Sequence, residues 1–415
     1  MPATPDTRLA ELDRLAQAAR DRPAQYGPDL DLGAFHTPPD YQPVSELTGL
    51  AEPLREAAER AGIEASEAGR AGSYFQRDHS VIYERVQRPY AGRVEIMSTQ
   101  EALLRYDLEP YWWRAVAVDQ DKYTAAAQLA QTHGYFIRVG AGQTIERPIQ
   151  ACLLLSENNV SQNVHNVIIL EPGARADVIT GCTLSQGVNE GLHIGVSEFY
   201  VQQGAQLTFT MVHNWAEGFH VRPRTTAIVE EGGVFVSNYI LVRPARSIQA
   251  YPTTICRGAG AVSRYNSIIL GRADSYLDLG TRIILEAPGS RGESIARTIA
   301  RERAVVIARG SLVGQHDDTV GHLDCRGILL SDQAVVRAIP ELHAEQAPGS
   351  HLSHEAAIGP IAEEEVEYLM ARGLPRERAV SMITHGFLKL DIPELPRAVQ
   401  DYVEAMLAAT PAEAL

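Results

Sequence analysis

Six glycine-centred turns recur along the middle of the chain at nearly constant intervals. The β-type runs YFIRV, VIIL, SEFYV, TAIVE, ICR and RIILE each lead into a turn. The marking glycines are Gly142, Gly173, Gly204, Gly232, Gly260 and Gly289, a period of roughly 30 residues, within the range of repeat architectures. A strand–turn–strand unit of this length cannot bury its own apolar face, so the units must stack into one continuous core. Stacked strands lie about 4.8 Å apart, which places equivalent positions of successive units in ladders. Helical patterns of about 10 to 15 residues, which a doubly wound α/β sheet needs between its strands, are missing here. So is the WD-like signature of a propeller. The repeat therefore predicts a coiled β-architecture. After Gly289 the glycine markers stop, and the spacing reads as shortened.

The flanks read differently. Helices are expected near residues 7–22, 50–62, 99–106 and 121–133, with one early strand at 80–86. Beyond the repeat, Pro360 is expected to open a helix whose first turn is acidic and which stops at Gly373. Two more are expected over 376–384 and 395–409. The organisation that follows is a mainly helical region 1–133, a β core 134–358 and a helical domain 359–415.

The net charge of −15 argues against a nucleic-acid surface, which requires clustered Lys and Arg. The four cysteines, Cys152, Cys182, Cys256 and Cys325, form no CxxC pair. That disfavours a local zinc knuckle and a disulfide framework and points to a reducing compartment. The N-terminal MPATPDTRLAELDRL lacks the apolar core of a signal peptide, and no apolar run approaches the roughly 20 residues of a membrane span. A cytoplasmic location is expected, with no membrane and no nucleic acid as partner.

Candidate ligands concentrate in Gly321–Gly359, GHLDCRGILLSDQAVVRAIPELHAEQAPGSHLSHEAAIG. The stretch holds Cys325 and four of the thirteen histidines, His322, His343, His351 and His354, together with Asp324 and Glu355. Thiolate and imidazole suit iron. The polar flanks of Cys325 suggest exposure, and Arg326 beside it would lower the thiol pKa. His354 and Glu355 are adjacent, so on a strand they point to opposite faces unless the backbone turns. The separation of Cys325 and Glu355 is close to one repeat, which would stack them on neighbouring rungs.

Several of these stretches together resemble the SufB/SufD family of iron–sulfur cluster assembly proteins. They are SHEAAIGPI, EYLMARGL, RAVSMITHGF, HLDCRGILLSD, GYFIRVGAGQTIERPIQ, DVITGCT and MVHNW, in that family's order over about 130–410. The resemblance implies a mostly β protein, with a right-handed parallel β-helix between N- and C-terminal α-helical domains. It implies a scaffold for building and transferring a transient iron–sulfur cluster, not an enzyme. ATP hydrolysis would belong to a SufC-type ABC ATPase docked on the C-terminal helices, through Glu364, Tyr368, Arg372 and Phe387.

The site is SufB-like because Cys325 and His354-Glu355 occur together. Cys325, His354 and Glu355 are its expected cluster ligands, His351 a supporting one, and Cys182 a candidate sulfur relay. The strand before MVHNW lacks a cysteine that receives sulfur in some SufB proteins. With the short chain, this fits the simpler two-component systems, in which such a protein pairs with itself; a SufB/SufD paralogue is the alternative partner. Sulfur would come from a donor such as a cysteine desulfurase. A flavin is compatible with the resemblance but is called for by no residue pattern. Two other readings stand beside this one. The first is a SufD-like structural subunit without ligands, which Cys325 and Glu355 disfavour. The second is a β-helical carbohydrate-active enzyme, which would need carboxylate pairs and aromatic sugar platforms.

Overall fold

The computed structural model describes residues 5–345 and 347–388. The strands begin with β1 (Gly72–Arg77), β2 (Ser80–Val86), β3 (Val94–Ser98), β4 (Tyr135–Val139), β5 (Ile149–Leu155), β6 (Val160–Leu170) and β7 (Arg175–Leu184). They continue with β8 (Glu190–Val201), β9 (Gln206–Asn214), β10 (Gly218–Val221), β11 (Arg224–Val229), β12 (Val234–Arg243), β13 (Ser247–Ala250) and β14 (Thr253–Cys256). The last are β15 (Val262–Gly271), β16 (Tyr276–Leu285), β17 (Arg291–Ala300), β18 (Val305–Gly314), β19 (Val320–Leu329), β20 (Val335–Ala344) and β21 (His351–Pro360). The helices are α1 (Pro5–Ala19), α2 (Glu52–Arg60), α3 (Thr99–Arg105), α4 (Lys122–Leu129), α5 (Glu363–Met370) and α6 (Arg376–Leu388).

The strands form two facing sheets. One runs β2-β1-β5-β7-β9-β12-β15-β17-β19-β21. The other runs from β3 through β4, β6, β8 and β11 to β14 and β16, and β18 and β20 extend it. The chain alternates between the sheets, one coil per repeat, and successive coils pair in parallel. This is a parallel β-helix. Its lumen is lined by one apolar cluster extending from Tyr74 and Ile149 to Leu312 and Leu323. All six corner glycines have positive φ, between 62° and 70°, a conformation that costs a residue with a Cβ roughly 1 kcal/mol or more. That requirement made the repeat visible.

Two expectations need correction. The repeat does not shorten after Gly289: the register of β17, β19 and β21 pairs Arg291 with Val320 and Val320 with His351, so coils of undiminished length continue to the end. Only the marker is lost, because the next corner is built from His316-Asp317-Asp318-Thr319, in which the Thr319 hydroxyl donates to the His316 carbonyl. Pro360 closes β21 instead of opening a helix, and α5 begins at Glu363. The helix expected over 395–409 lies outside the described residues. Within 1–133, β1 and β3 join the two sheets, so the coil is already templated from Gly72 onward.

The helices cover outer faces. α1 and α4 bring Leu12, Ala16 and Tyr123 against Leu192, Ile194 and Val196 of β8. α2 packs on Phe75, Cys152 and Leu154. Gly181 faces this side: a Cβ there would sit 2.6 Å from the Ala61 carbonyl oxygen. α5 and α6 bring Val366 and Val380 against Ile240, Ile268, Ile299 and Ile328, near the strand ends of the first sheet.

One buried carboxylate ties the 108–118 loop to the coil. Glu198 accepts the backbone N–H of Trp113 (2.7 Å), Arg114 (2.7 Å), Ala115 (2.6 Å) and Val116 (3.0 Å). It also meets Nε2 of His165 at 2.8 Å, whose ring stacks on Trp112. Trp113 has a φ of 53°.

Candidate cluster site at the end of the coil

Alternation along β19 decides where its side chains go. Leu323 belongs to the luminal cluster, so Gly321, Cys325 and Gly327 also face inward, and His322, Asp324, Arg326 and Ile328 face out. Cys325 is therefore buried, at 6% exposure, not exposed as its polar neighbours suggested. Those neighbours occupy the other face. Burial pushes its thiol up to about 11, which corrects the expectation of a thiol activated by Arg326. The Arg326 guanidinium instead donates to Asp324 at 3.0 Å, and Asp324 also takes Arg297 at 2.7 Å. A thiol raised from 9.0 to about 11 holds about a hundredfold less thiolate near neutrality. Iodoacetamide should therefore alkylate Cys325 about a hundred times more slowly than a free thiol at pH 7, with the rate rising up to about pH 11. Mass spectrometry of the modified peptide against pH checks this.

The three expected ligands do not converge within one chain. The register pairs Leu323 with His354, Asp324 with Glu355 and Cys325 with Ala356. Glu355 is thus one position out of step with Cys325. β21 is continuous, so His354 faces the lumen side, diagonal to Cys325, while Glu355 lies outside, 3.5 Å from Arg326. His354 Nε2 is buried and has no hydrogen-bond partner among the described residues. His351 is exposed on the outer side of β21, away from Cys325. Among the described residues, no three His, Cys, Asp or Glu side chains are placed to hold a metal ion.

Above Cys325 the lumen is open. Its ladder runs Met211, Tyr239, Ser267, Ala296, Cys325 and Ala356. Ser267 and Ala296 are too small to fill their rungs. With Thr281, Ser294 and Ala308 on the walls they leave a cavity of ≈ 80 Å³ that runs from Phe199 and His213 to Cys325. At its far end His213 Nδ1 meets the Tyr239 hydroxyl at 3.1 Å. Burial holds the His213 imidazole neutral, well below its ordinary range. Cys182 is buried in the lumen with its thiol pushed up by desolvation, and it does not line this cavity. Through its ladder with His213, Leu241, Ile269, Thr298 and Gly327 it stands five rungs, about 24 Å, from the Cys325 coil.

Below Cys325 the coil ends. Among the described residues β20 and β21 end the two sheets with unpaired edges, and Ile339, Leu342 and Ile358 on them are exposed. On the C-terminal helices Glu364, Tyr368 and Arg372 are exposed, with the Arg372 guanidinium 3.5 Å above the Tyr368 ring. Phe387, expected on the same docking face, packs inward against the apolar cluster under α6. No helix among the described residues is long and apolar enough to cross a membrane.

Comparison with known proteins agrees with this architecture. Residues 153–387 match the family model described as "SUF system FeS cluster assembly, SufBD core domain". A SufBD family protein of Methanothermobacter thermautotrophicus (strain Winter) is 43% identical over 406 residues, covering 96% of this chain and 98% of its own. One from Archaeoglobus fulgidus is 42% identical, covering 84% and 93%. SufB of Bacillus subtilis is 24% identical, covering 90% and 82%. The chain belongs to the SufBD family of iron–sulfur cluster assembly proteins.

Proposed function

We propose that this chain is the scaffold on which iron and sulfide are assembled into a cluster for transfer, and that it works as a homodimer joined through the open end of the coil. The observation that carries this reading is the position of Cys325 and His354. Both face inward within one coil of an end whose two edge strands are, among the described residues, unpaired on their outer side and expose apolar side chains. An edge of that kind is stable only when paired or covered. A second copy brings a second Cys325 and His354 to the same junction, and the orphaned His354 Nε2 then has a use. Glu355, on the outer side, holds Arg326 in place or meets the cluster from the partner's rim.

The chain is read as non-enzymatic. A SufC-type ATPase would supply ATP hydrolysis, and the exposed surface of Glu364, Tyr368 and Arg372 supports docking there. Sulfur from a donor such as a cysteine desulfurase is read as reaching Cys325 through the lumen. The gap of about 24 Å between Cys182 and Cys325 is far beyond direct thiol exchange. A relay through Cys182 would therefore need a small neutral carrier, since apolar walls penalise an ion: hydrogen sulfide, released when a thiol reductant supplies two electrons to a Cys182 persulfide and is itself oxidised to a disulfide. A reducing cytoplasm is the compartment that fits this chemistry.

Mixing two variants tests the shared site. Cys325→Ser and His354→Ala proteins, each empty alone, are expected to regain about a quarter of wild-type cluster content after subunit exchange. Half the dimers are then mixed, and each mixed dimer holds one intact site out of two. Absorption spectra after anaerobic reconstitution report the content. No recovery, with exchange verified by mass, would sink the shared-interface model.

A further inference from the structure

A second cleft, of ≈ 470 Å³, lies on the outer face of the second sheet. Its rim is the segment from Pro23 to Tyr26, which is strapped across the sheet. Arg22 pairs with Asp119 at one end. At the other, Leu30 N–H donates to the Tyr123 hydroxyl (3.0 Å) and Arg222 donates to the Pro28 carbonyl (3.3 Å). Tyr26 is held edge-on to Tyr251 and beneath the Arg309 guanidinium, 3.9 Å away.

The floor is a built polar surface. Arg224, itself buried, donates to Asp121 (2.7 Å) and to Oε1 of Gln249 (2.6 Å). This fixes the orientation of the Gln249 amide. Gln249 lines the cleft at only 6% exposure, and its Nε2 is covered, lying beside Gly27 of the strap. Beside it runs an outer-face ladder of Thr226, Thr253, Arg282, Ser311 and Glu341. Arg282 is exposed and makes no ion pair among the described residues. Burial pushes the Tyr251 hydroxyl up to about 12, so it remains a donor at neutral pH. Glu341 and His343, on the edge strand β20, close the far rim.

We propose that this cleft binds a small oxyanion-bearing molecule, a carboxylate or a phosphate, held by the Arg282 guanidinium with the hydroxyls of Tyr251, Thr253 and Ser311 around it. Glu341 disfavours anionic charge at the far rim, so the oxyanion sits at Arg282. An occupant also touches β20, the strand at the open end of the coil. The site stands on its own residues and is independent of any cluster chemistry.

Citrate and inorganic phosphate, titrated separately into the full-length protein, are the probes, read by thermal shift and by calorimetry at constant ionic strength. Saturable binding of at least one is expected, and which one binds separates carboxylate from phosphate recognition. Arg282→Ala should weaken it about tenfold or more, the loss of one hydrogen bond to a charged group. Arg291→Ala, an exposed arginine on the other sheet, should leave it unchanged. If Arg282→Ala does not fold, Arg282→Gln serves in its place. Absence of saturable binding by both probes, or equal affinity in wild type and the Arg282 variant, overturns the proposal.

Discussion

Cys325→Ser protein is expected to hold at least about tenfold less iron and sulfide than wild type after anaerobic reconstitution, while unfolding at nearly the same denaturant concentration. The two halves of this expectation have different causes. The substitution exchanges one atom at the edge of an existing cavity, so it creates neither overpacking nor a large void. The loss of content follows from the ligand: the outer partners of metal ligands already cost about 10–100-fold when removed, and a thiolate that binds the cluster directly should cost no less. Its proton must leave first. A thiol pushed up to about 11 makes loading faster at higher pH, because metal competes with protons for the sulfur. Cys182→Ser is the control. It should retain wild-type content when free sulfide is supplied. Equal content in wild type and Cys325→Ser would remove Cys325 as a ligand.

Glu198→Leu should be the most destabilising single change, costing about 3–5 kcal/mol. It removes the acceptor of four backbone N–H groups in the 113–116 segment and leaves His165, which is fully buried, without its carboxylate. Glu198→Gln retains one carbonyl oxygen and should cost less, with its amide opposing either the Trp113 N–H or the other three. Hydrogen exchange provides the local reading: amides of 113–116 should lose protection in Glu198→Leu before the strands of the coil do. Unchanged protection there would show that the loop is held by its tryptophans alone.

Much of the architecture was legible because glycine leaves a mark where the backbone needs positive φ. The same dependence explains the failure after Gly289. The corner at 316–319 uses Asp and Thr hydrogen bonds, so the repeat continues unmarked. At the site, chain position was legible and direction was misread. GHLDCRGIL alternates Gly321, Leu323, Cys325, Gly327 and Leu329 with His322, Asp324, Arg326 and Ile328. Read with period two, it already buries the thiol and separates it from Glu355. The step from Cys325 to Glu355 looked like one coil, but the last coil is one residue longer and sets Cys325 against Ala356. One residue is enough to reverse a side chain. Glu198 and Gln249 carried no signal at all. Each sits in an ordinary strand, and each acquires its role from a segment far away in the chain, Glu198 from the loop at Trp113 and Gln249 from the strap at Gly27. No local pattern encodes such a meeting.

The stacked coils have one more consequence, for length. Distance along the axis comes in steps of about 4.8 Å, one per repeat, and each side chain in the lumen is addressed by coil number and column. Three steps separate Cys325 from Tyr239, and four separate its coil from His213. A whole-coil insertion or deletion between them would lengthen or shorten that gap by one step. It would leave the edge strands and the inward face of Cys325 as they are, but would shift Ile328 by one step relative to Ile240 beneath the docked helices. A partial coil would do the opposite, keeping the gap while rotating the thiol out of the lumen. The protein is in this sense a ruler, and only whole divisions can be added to it.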